Sequence, residues 1–589
     1  MYNGGLKAGR PTLQLNPVRK DHIMLHDLYT PEGESLKGQP WDIYPRPQMK
    51  RNSYINLNGT WDFAVTDKHF PSTYDKKILI PFCPESLLSG IHEHFPEGSA
   101  LCYRRTFTLP EGFHQGRVLL HIGAADQHLD CFVNDKKVGN HTGGYEHITF
   151  DITDALRDGE NELKIRCFDD LRDLTLPYGK QVMKRGGMWY TPVSGIWQTV
   201  WLESVPESYI HKLNIENRGT SVTITTEPKL NGTVTVSGLG NYTLVDGSVT
   251  ITPENPHLWS PEDPYLYDFT VEAGADRVES YFALRTLEIK KVGDYQRLCL
   301  NGKPYFFHGL LDQGYWSDGL FTPATPACYE QDILAMKKLG FNMLRKHIKV
   351  EMDEFYYQCD KLGMVVFQDM VNNGKYSFLR DTILPTISMR GQKLPDKNLH
   401  TDENTRRVFI EGMESTVNQL KNFPCILYWT IFNEGWGQFD SDNVYDKMRA
   451  LDDTRWIDST SGWFRRKKTD VDSRHVYFRK VKLTGEDKPM VLSEFGGYSY
   501  KVDGHVFNGE KSYGYGSYDN PDAFCEAVAK LYMEQIVPSV KNGLGAAVYT
   551  QVSDVEDEIN GLVTYDRRVA KLTPEKMLPV AAALQEAIG

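Results

Sequence analysis

Cys425-Ile-Leu-Tyr-Trp-Thr-Ile-Phe-Asn433-Glu434-Gly-Trp436-Gly437 is an apolar run, rich in aromatic and β-branched residues, that ends abruptly on an amide, a carboxylate and two glycines. Such a run suits a strand covered on both faces, as in a parallel sheet. Pro489-Met-Val-Leu-Ser-Glu494-Phe-Gly-Gly497 repeats the design: a short apolar strand, a glutamate, then glycines. In a parallel β/α barrel, side chains at the carboxyl ends of the strands project into one shared bowl, so two glutamates placed this way can meet there.

Working outward, the chain after about Lys291 alternates strands with helices, the mark of a parallel α/β domain. Candidate strands begin near Tyr305, Phe341, Met364, Cys425, Trp456, Val471, Pro489 and Gly545. Helical stretches such as Tyr329 to Leu339, Met352 to Leu362, Asn404 to Asn422, Pro521 to Lys541 and Pro574 to Ala587 fill many of the gaps. That count predicts a (β/α)8 TIM barrel over residues 291–589, with Glu434 ending strand four and Glu494 strand seven. A doubly wound open sheet would usually carry a glycine-rich first turn, and neither G-x-G-x-x-G nor a P-loop occurs.

The residues before this are a different material. From about Arg51 to Pro206, short strands such as Arg117-Val-Leu-Leu-His-Ile and Glu162-Leu-Lys-Ile-Arg-Cys-Phe alternate with turn residues, which predicts an N-terminal jelly-roll β-sandwich, placed at 1–206. The β pattern continues in Val222-Thr-Ile-Thr-Thr and Leu266-Tyr-Asp-Phe-Thr-Val, and residues 207–290 have the length of an immunoglobulin-like β-sandwich.

Lys+Arg of 66 against Asp+Glu of 78 gives a net charge of −12, which disfavours a nucleic-acid partner. No apolar stretch approaches the roughly 20 residues of a membrane span. Met1 to Arg10 lack the apolar core of a secretory signal, so the chain as given reads as cytoplasmic. Nine cysteines, an odd number without a Cys-x-x-Cys pair, read as buried free thiols.

Glycosidic cleavage needs two carboxyl groups flanking the anomeric carbon, and Glu434 and Glu494 are the pair this chain offers. With Leu427-Tyr-Trp-Thr-Ile-Phe-Asn433-Glu434 and Leu492-Ser-Glu494-Phe-Gly-Gly go Gly340-Phe-Asn-Met-Leu-Arg345, Leu57-Asn-Gly-Thr-Trp-Asp-Phe and Pro192-Val-Ser-Gly-Ile-Trp-Gln-Thr-Val-Trp. Together, and in this order, these motifs resemble glycoside hydrolase family 2 from about residue 50 to the end. The family's layout of jelly roll, immunoglobulin-like domain and catalytic barrel is the one read above.

The resemblance implies that Glu434 is the acid/base and Glu494 the nucleophile of a retaining, exo-acting double displacement. It further implies that Asn433 bonds the sugar 2-hydroxyl and that Arg345 orients the nucleophile with a two-pronged contact. Tyr477, in His475-Val-Tyr477, is the candidate donor that keeps Glu494 ionised. The family's histidine after this arginine falls one place early here, as His347. Asp312 in the loop after strand one is expected to contact sugar hydroxyls, and Trp436 and Tyr549 to stack on the sugar face. Asp170, in the long loop from Asp169 to Trp189, is expected to reach over the barrel mouth. Asp557 and Glu558, in the acidic run after strand eight, are expected on a solvated face.

Glucuronidases of the family resemble one another in an Asn-x-Lys element after strand eight; here the stretch reads Glu558-Ile559-Asn560. A β-galactoside is therefore the default substrate, with β-mannoside, α-L-arabinopyranoside and, less, β-glucuronide as alternatives. No cofactor or metal is implied, and the expected partner is a glycoside, with homo-oligomerisation left open. A carbohydrate-binding protein on the same scaffold is the rival of a different class, and a transglycosylase the rival within it.

Overall fold

The computed structural model describes residues 27–383, 396–397, 399–477, 479–485 and 487–589; the stretch Met1 to Arg10 weighed above lies outside them. Eight parallel strands form the C-terminal barrel: β1 Phe307–Asp312, β2 Met343–Lys346, β3 Val365–Asp369, β4 Ile426–Asn433, β5 Trp456–Ser461, β6 Asp472–Val476, β7 Met490–Gly496 and β8 Leu544–Thr550. Their sheet order, β5-β4-β3-β2-β1-β8-β7-β6, is a barrel opened between β5 and β6. Across that seam the Ser461 and Ser473 hydroxyls lie 3.3 Å apart. Every residue of β4, β7 and β8 is buried, because helices cover one face and barrel side chains fill the other.

Local signals set the helices between them. Asp402 caps the helix Glu403–Leu420 by accepting from Thr405 N, and Asn520 caps Pro521–Leu531 by accepting from Ala523 N. Gly363 ends Asp353–Leu362 in the left-handed conformation, where a Cβ would sit 2.5 Å from the Pro261 carbonyl oxygen. That turn feeds the chain into β3.

Two sandwiches precede the barrel. In the first, a four-stranded antiparallel sheet faces a six-stranded one, and in the second a three-stranded sheet faces a four-stranded one. Each has its own apolar core. They are tied together by Arg51, which bonds Glu203 of the first and both Asp276 oxygens of the second. The second is tied to the barrel by Tyr281, whose hydroxyl donates to Asp360 at 2.7 Å. All nine cysteines are free and buried, and among the described residues no helix is long and apolar enough to cross a membrane.

Candidate active site

β4 ends by handing Glu434 into the mouth of the barrel. Its backbone has φ of 52° and its N–H donates to the Ser461 carbonyl at 2.9 Å. A side-chain-bearing residue in this left-handed region is uncommon and persists where its surroundings fix it. The next residue has to be glycine, because a Cβ on Gly435 would meet the Phe464 ring at 2.3 Å. The glycine after the second glutamate has the same cause: a Cβ on Gly496 would meet Tyr549 at 2.2 Å.

Across the bowl, carboxylate oxygens of Glu434 and Glu494 and a ring nitrogen of His475 all lie within 4.8 Å of one another. His475 Nδ1 is 2.7 Å from Glu434 Oε1 and 3.5 Å from Glu494 Oε2. Among the described residues this is the one group of three or more His, Cys, Asp or Glu side chains close enough to share a metal ion.

Glu494 is held on both oxygens. Arg345 Nη1 donates to Oε1 at 3.2 Å and the Tyr477 hydroxyl to Oε2 at 2.6 Å. With its proton spent there, Tyr477 accepts from the Thr550 hydroxyl at 2.8 Å, and its ring stacks on Tyr515 at 4.1 Å. Burial pushes the Glu494 carboxyl up, but the charges of His475, Arg345 and His347 with the Tyr477 hydrogen bond outweigh it and hold it at about 2.

Arg345 spreads its fork over several partners instead of clamping the glutamate with two prongs. Nε donates to Asp369 Oδ1 at 3.0 Å, Nη1 also to the Ser493 carbonyl, and Nη2 to Asn433 Oδ1 at 2.9 Å. Asn433 is thereby turned so that its Nδ2 is the donor left over. His347 Nδ1 bonds the other oxygen of Asp369 at 2.7 Å. Asp369 closes β3 as a strand-end carboxylate, the same signal that marked the two glutamates; sequence reasoning passed over it, and also over His475, which precedes Tyr477 by two residues.

The first sandwich supplies the outer wall through its long loop, but not through Asp170. That carboxylate is taken by Arg172 on the exposed side of the loop. The loop's far end does the reaching: Tyr178 donates to the Gly374 carbonyl, Trp189 packs edge-on against Trp436 and Tyr376, Arg185 pairs with Asp557 at 3.1 Å, and Tyr190 donates to Glu558. Lys180 Nζ lies 5.9 Å from the Trp189 ring centre. Asp557 and Glu558 are therefore buried, not solvated; loop residues distant in sequence cover them. Burial pushes the Glu558 carboxyl up, against the Tyr190 hydroxyl and the Lys180 charge, and pushes Glu556, which accepts from Thr191 N, up to about 7.

Other expected contacts are placed elsewhere. Asp312 points out of the barrel toward the helices, where Lys346 Nζ meets it at 2.6 Å beside Glu351. Tyr549 is packed outside the strands against Phe495 and Tyr532, its oxygen accepting from Tyr498 N. Trp436 is 3% exposed; its Nε1 donates to the Gly374 carbonyl, so it buttresses Trp189 and Tyr376 rather than offering a free face.

The model of the glycosyl hydrolases family 2 TIM barrel domain matches residues 290–574, that of the family's sugar binding domain residues 89–206, and a further glycosyl hydrolases family 2 model residues 207–285. A β-galactosidase of Thermoanaerobacter pseudethanolicus is 24% identical over 433 residues, 67% of this chain and 53% of that one. A putative β-glucuronidase of Formosa agariphila is 25% identical over 452 residues, 70% of this chain and 50% of that one. The chain thus spans about half the length of these curated relatives. The β-D-glucuronidase structure from Dictyoglomus thermophilum superposes with a TM-score of 0.70 at 18% identity, covering 92% of this chain and 98% of that one. A β-galacturonidase from Eisenbergiella tayi gives 0.63 at 16%, covering 93% and 99%. At such identities the likeness is one of fold.

Proposed function

The chain belongs to glycosyl hydrolase family 2, and on that premise we propose that it is a retaining, exo-acting β-glycosidase with Glu494 as nucleophile and Glu434 as acid/base. The observation that carries this is the approach of their carboxylate oxygens to within 4.8 Å. A retaining pair stands about 5–5.5 Å apart, whereas an inverting pair leaves room for water at about 6.5–9.5 Å. In the first step Glu494 bonds to the anomeric carbon as the bond to the aglycone breaks, and the leaving oxygen takes the proton of Glu434. Water then attacks that carbon, gives a proton to Glu434 and frees Glu494. The charges around Glu494 keep it ionised for the attack, and the leftover donor of Asn433 suits the sugar 2-hydroxyl.

The sugar we propose is neutral, with a β-galactoside as first choice. Asn560 Nδ2 donates to Glu558 Oε1 at 3.1 Å, both side chains buried, where the family's glucuronidases carry their lysine. A uronate there would meet a carboxylate, and the charge of Lys180 is already opposed by Glu558. A panel of nitrophenyl β-D-galactoside, β-D-mannoside, α-L-arabinopyranoside, β-D-glucuronide and β-D-galacturonide tests this, with Glu494→Gln as control. Turnover of a neutral glycoside, lost in the control, is expected. Preferential turnover of a uronide would overturn the choice of sugar, and turnover undiminished in Glu494→Gln would overturn the mechanism.

A further inference from the structure

Lys180 is a cation of the bowl that the two-glutamate scheme leaves without a task. Arg345 spends its donors on Asp369, Ser493, Glu494 and Asn433. Arg185 pairs with Asp557 at 3.1 Å and lies 3.6 Å from Glu556. Lys180 is half-buried, yet among the described residues its Nζ makes neither a hydrogen bond nor an ion pair. The centre of the Trp189 ring is 5.9 Å from Nζ, at the outer reach of a cation–π contact. Three N–H donors are therefore held at the bowl with no acceptor from the protein.

The backbone on either side of Lys180 is fixed against both domains. Tyr178 N and Gly179 N donate to the Asn372 carbonyl, just past β3, at 3.1 and 3.3 Å. Gly179 has φ of 60°, and a Cβ there would stand 3.0 Å from the carbonyl oxygen of Ile348, the residue after His347. On the other side, Gln181 Nε2 donates to Asp126 Oδ2 at 3.1 Å and its Oε1 accepts from Val193 N at 2.6 Å. The Lys180 carbonyl accepts from Tyr190 N at 3.0 Å, which sets the lysine beside Trp189 and Tyr190, the loop residues that meet the barrel. From there the charge of Lys180 acts both on His347, after β2, and on Glu558, after β8.

Lys180 and Glu558 carry opposite charges and do not close into an ion pair. Glu558 accepts the Tyr190 hydroxyl on Oε2 and Asn560 Nδ2 on Oε1, and each oxygen of a carboxylate keeps a second lone pair. A group that accepts from Nζ and donates to Glu558 suits this pair, and a sugar hydroxyl is such a group. A carboxylate has no proton to give Glu558. It would also join a wall where Glu556, Asp557 and Glu558 already face only Lys180 and Arg185.

Resting on the reading of Glu434 and Glu494 as the catalytic pair, we propose that Lys180 is a specificity-determining residue that the first sandwich lends to the barrel. Its ammonium donates to a hydroxyl on the edge of the sugar away from the anomeric carbon, and that hydroxyl donates in turn to Glu558. β4 brings Glu434 to the glycosidic oxygen and Asn433 to the 2-hydroxyl, whereas β8, which leads to Glu558, is four strands away in the sheet and so stands across the barrel. The hydroxyl that Lys180 reads is therefore one beyond carbon 2. The substrate selected is a neutral pyranoside with a free hydroxyl at that place.

The test is a cycle of variants and substrates on the full chain. Lys180→Met keeps an apolar stem beside Trp189 and removes the donors. On the best nitrophenyl glycoside it should lower kcat/KM by about tenfold to a hundredfold, the worth of a hydrogen bond from a charged donor. One of the 3-, 4- and 6-deoxy analogues of that glycoside should erase the difference between wild type and variant, because both changes remove the same contact. Lys180→Gln, which keeps a neutral donor, repeats the cycle if methionine lowers the midpoint of urea unfolding. Equal losses on the parent and on every analogue would overturn the proposal. A loss confined to uronides would also overturn it, by making the lysine the partner of a carboxylate. Failure of the underlying reading looks different: turnover would survive in Glu494→Gln.

Discussion

The hydroxyl of Tyr190, on the loop of the first sandwich, donates to the carboxylate of Glu558, in the segment after β8. Two domains thus build one wall, and a carboxylate that would otherwise be solvated is buried inside it. Because burial without a partner is costly, the barrel depends on that loop for more than cover.

Tyr190→Phe removes the donor and leaves Glu558 buried with less satisfaction. An unsatisfied buried group costs about 1–3 kcal/mol, so the midpoint of urea unfolding should fall while the slope is kept. KM for the glycoside should rise more than kcat falls, read from initial rates. Unchanged KM would mean that this wall does not touch the sugar.

Tyr477→Phe takes one of the two side-chain donors from Glu494 and strands the Thr550 hydroxyl. Loss of one aligned donor at a reacting oxygen is worth about 10²–10³ in kcat. The drop should appear in kcat and kcat/KM together. A pure KM effect would place Tyr477 outside the chemistry.

The hold on Glu494 has a consequence for acid stability. Its folded carboxyl stands at about 2 against an ordinary 4.5, so the ionised form contributes stability that is fully present above pH of about 4.5 and lost as pH falls through about 2. Each unit is about 1.4 kcal/mol, giving roughly 3 kcal/mol over that window. Glu494→Gln lacks this term. The stability difference between wild type and Glu494→Gln should therefore shrink by that amount on acidification, measured by urea unfolding at several pH values; a constant difference would refute it.

Asp312 and Asp369 are both strand-end carboxylates with opposite orientations. Asp369→Asn weakens the seat of Arg345 and His347 and should lower kcat by tenfold or more. Asp312→Asn loosens Lys346, which keeps Glu351, and should cost about 1–3 kcal/mol of stability with kcat near wild type. Equal kinetic effects would contradict the outward placement of Asp312.

What the sequence determined by itself was whatever local pattern encodes. Apolar runs of strand length between helical stretches specify the parallel barrel, since each strand is buried on both faces, and the glycines beside Glu434 and Glu494 specify sharp strand ends. Orientation and partnership came only from the tertiary structure. Asp312 and Arg345 both lie at strand ends, yet they point to opposite sides of the barrel wall, because side chains alternate along a strand and one step in register reverses the face. Glu558 is buried because Tyr190, 368 positions away, covers it. His475 bridges both glutamates because β4, β6 and β7 converge on it. A charge's burial and a histidine's neighbours are long-range properties, and no window of sequence contains them.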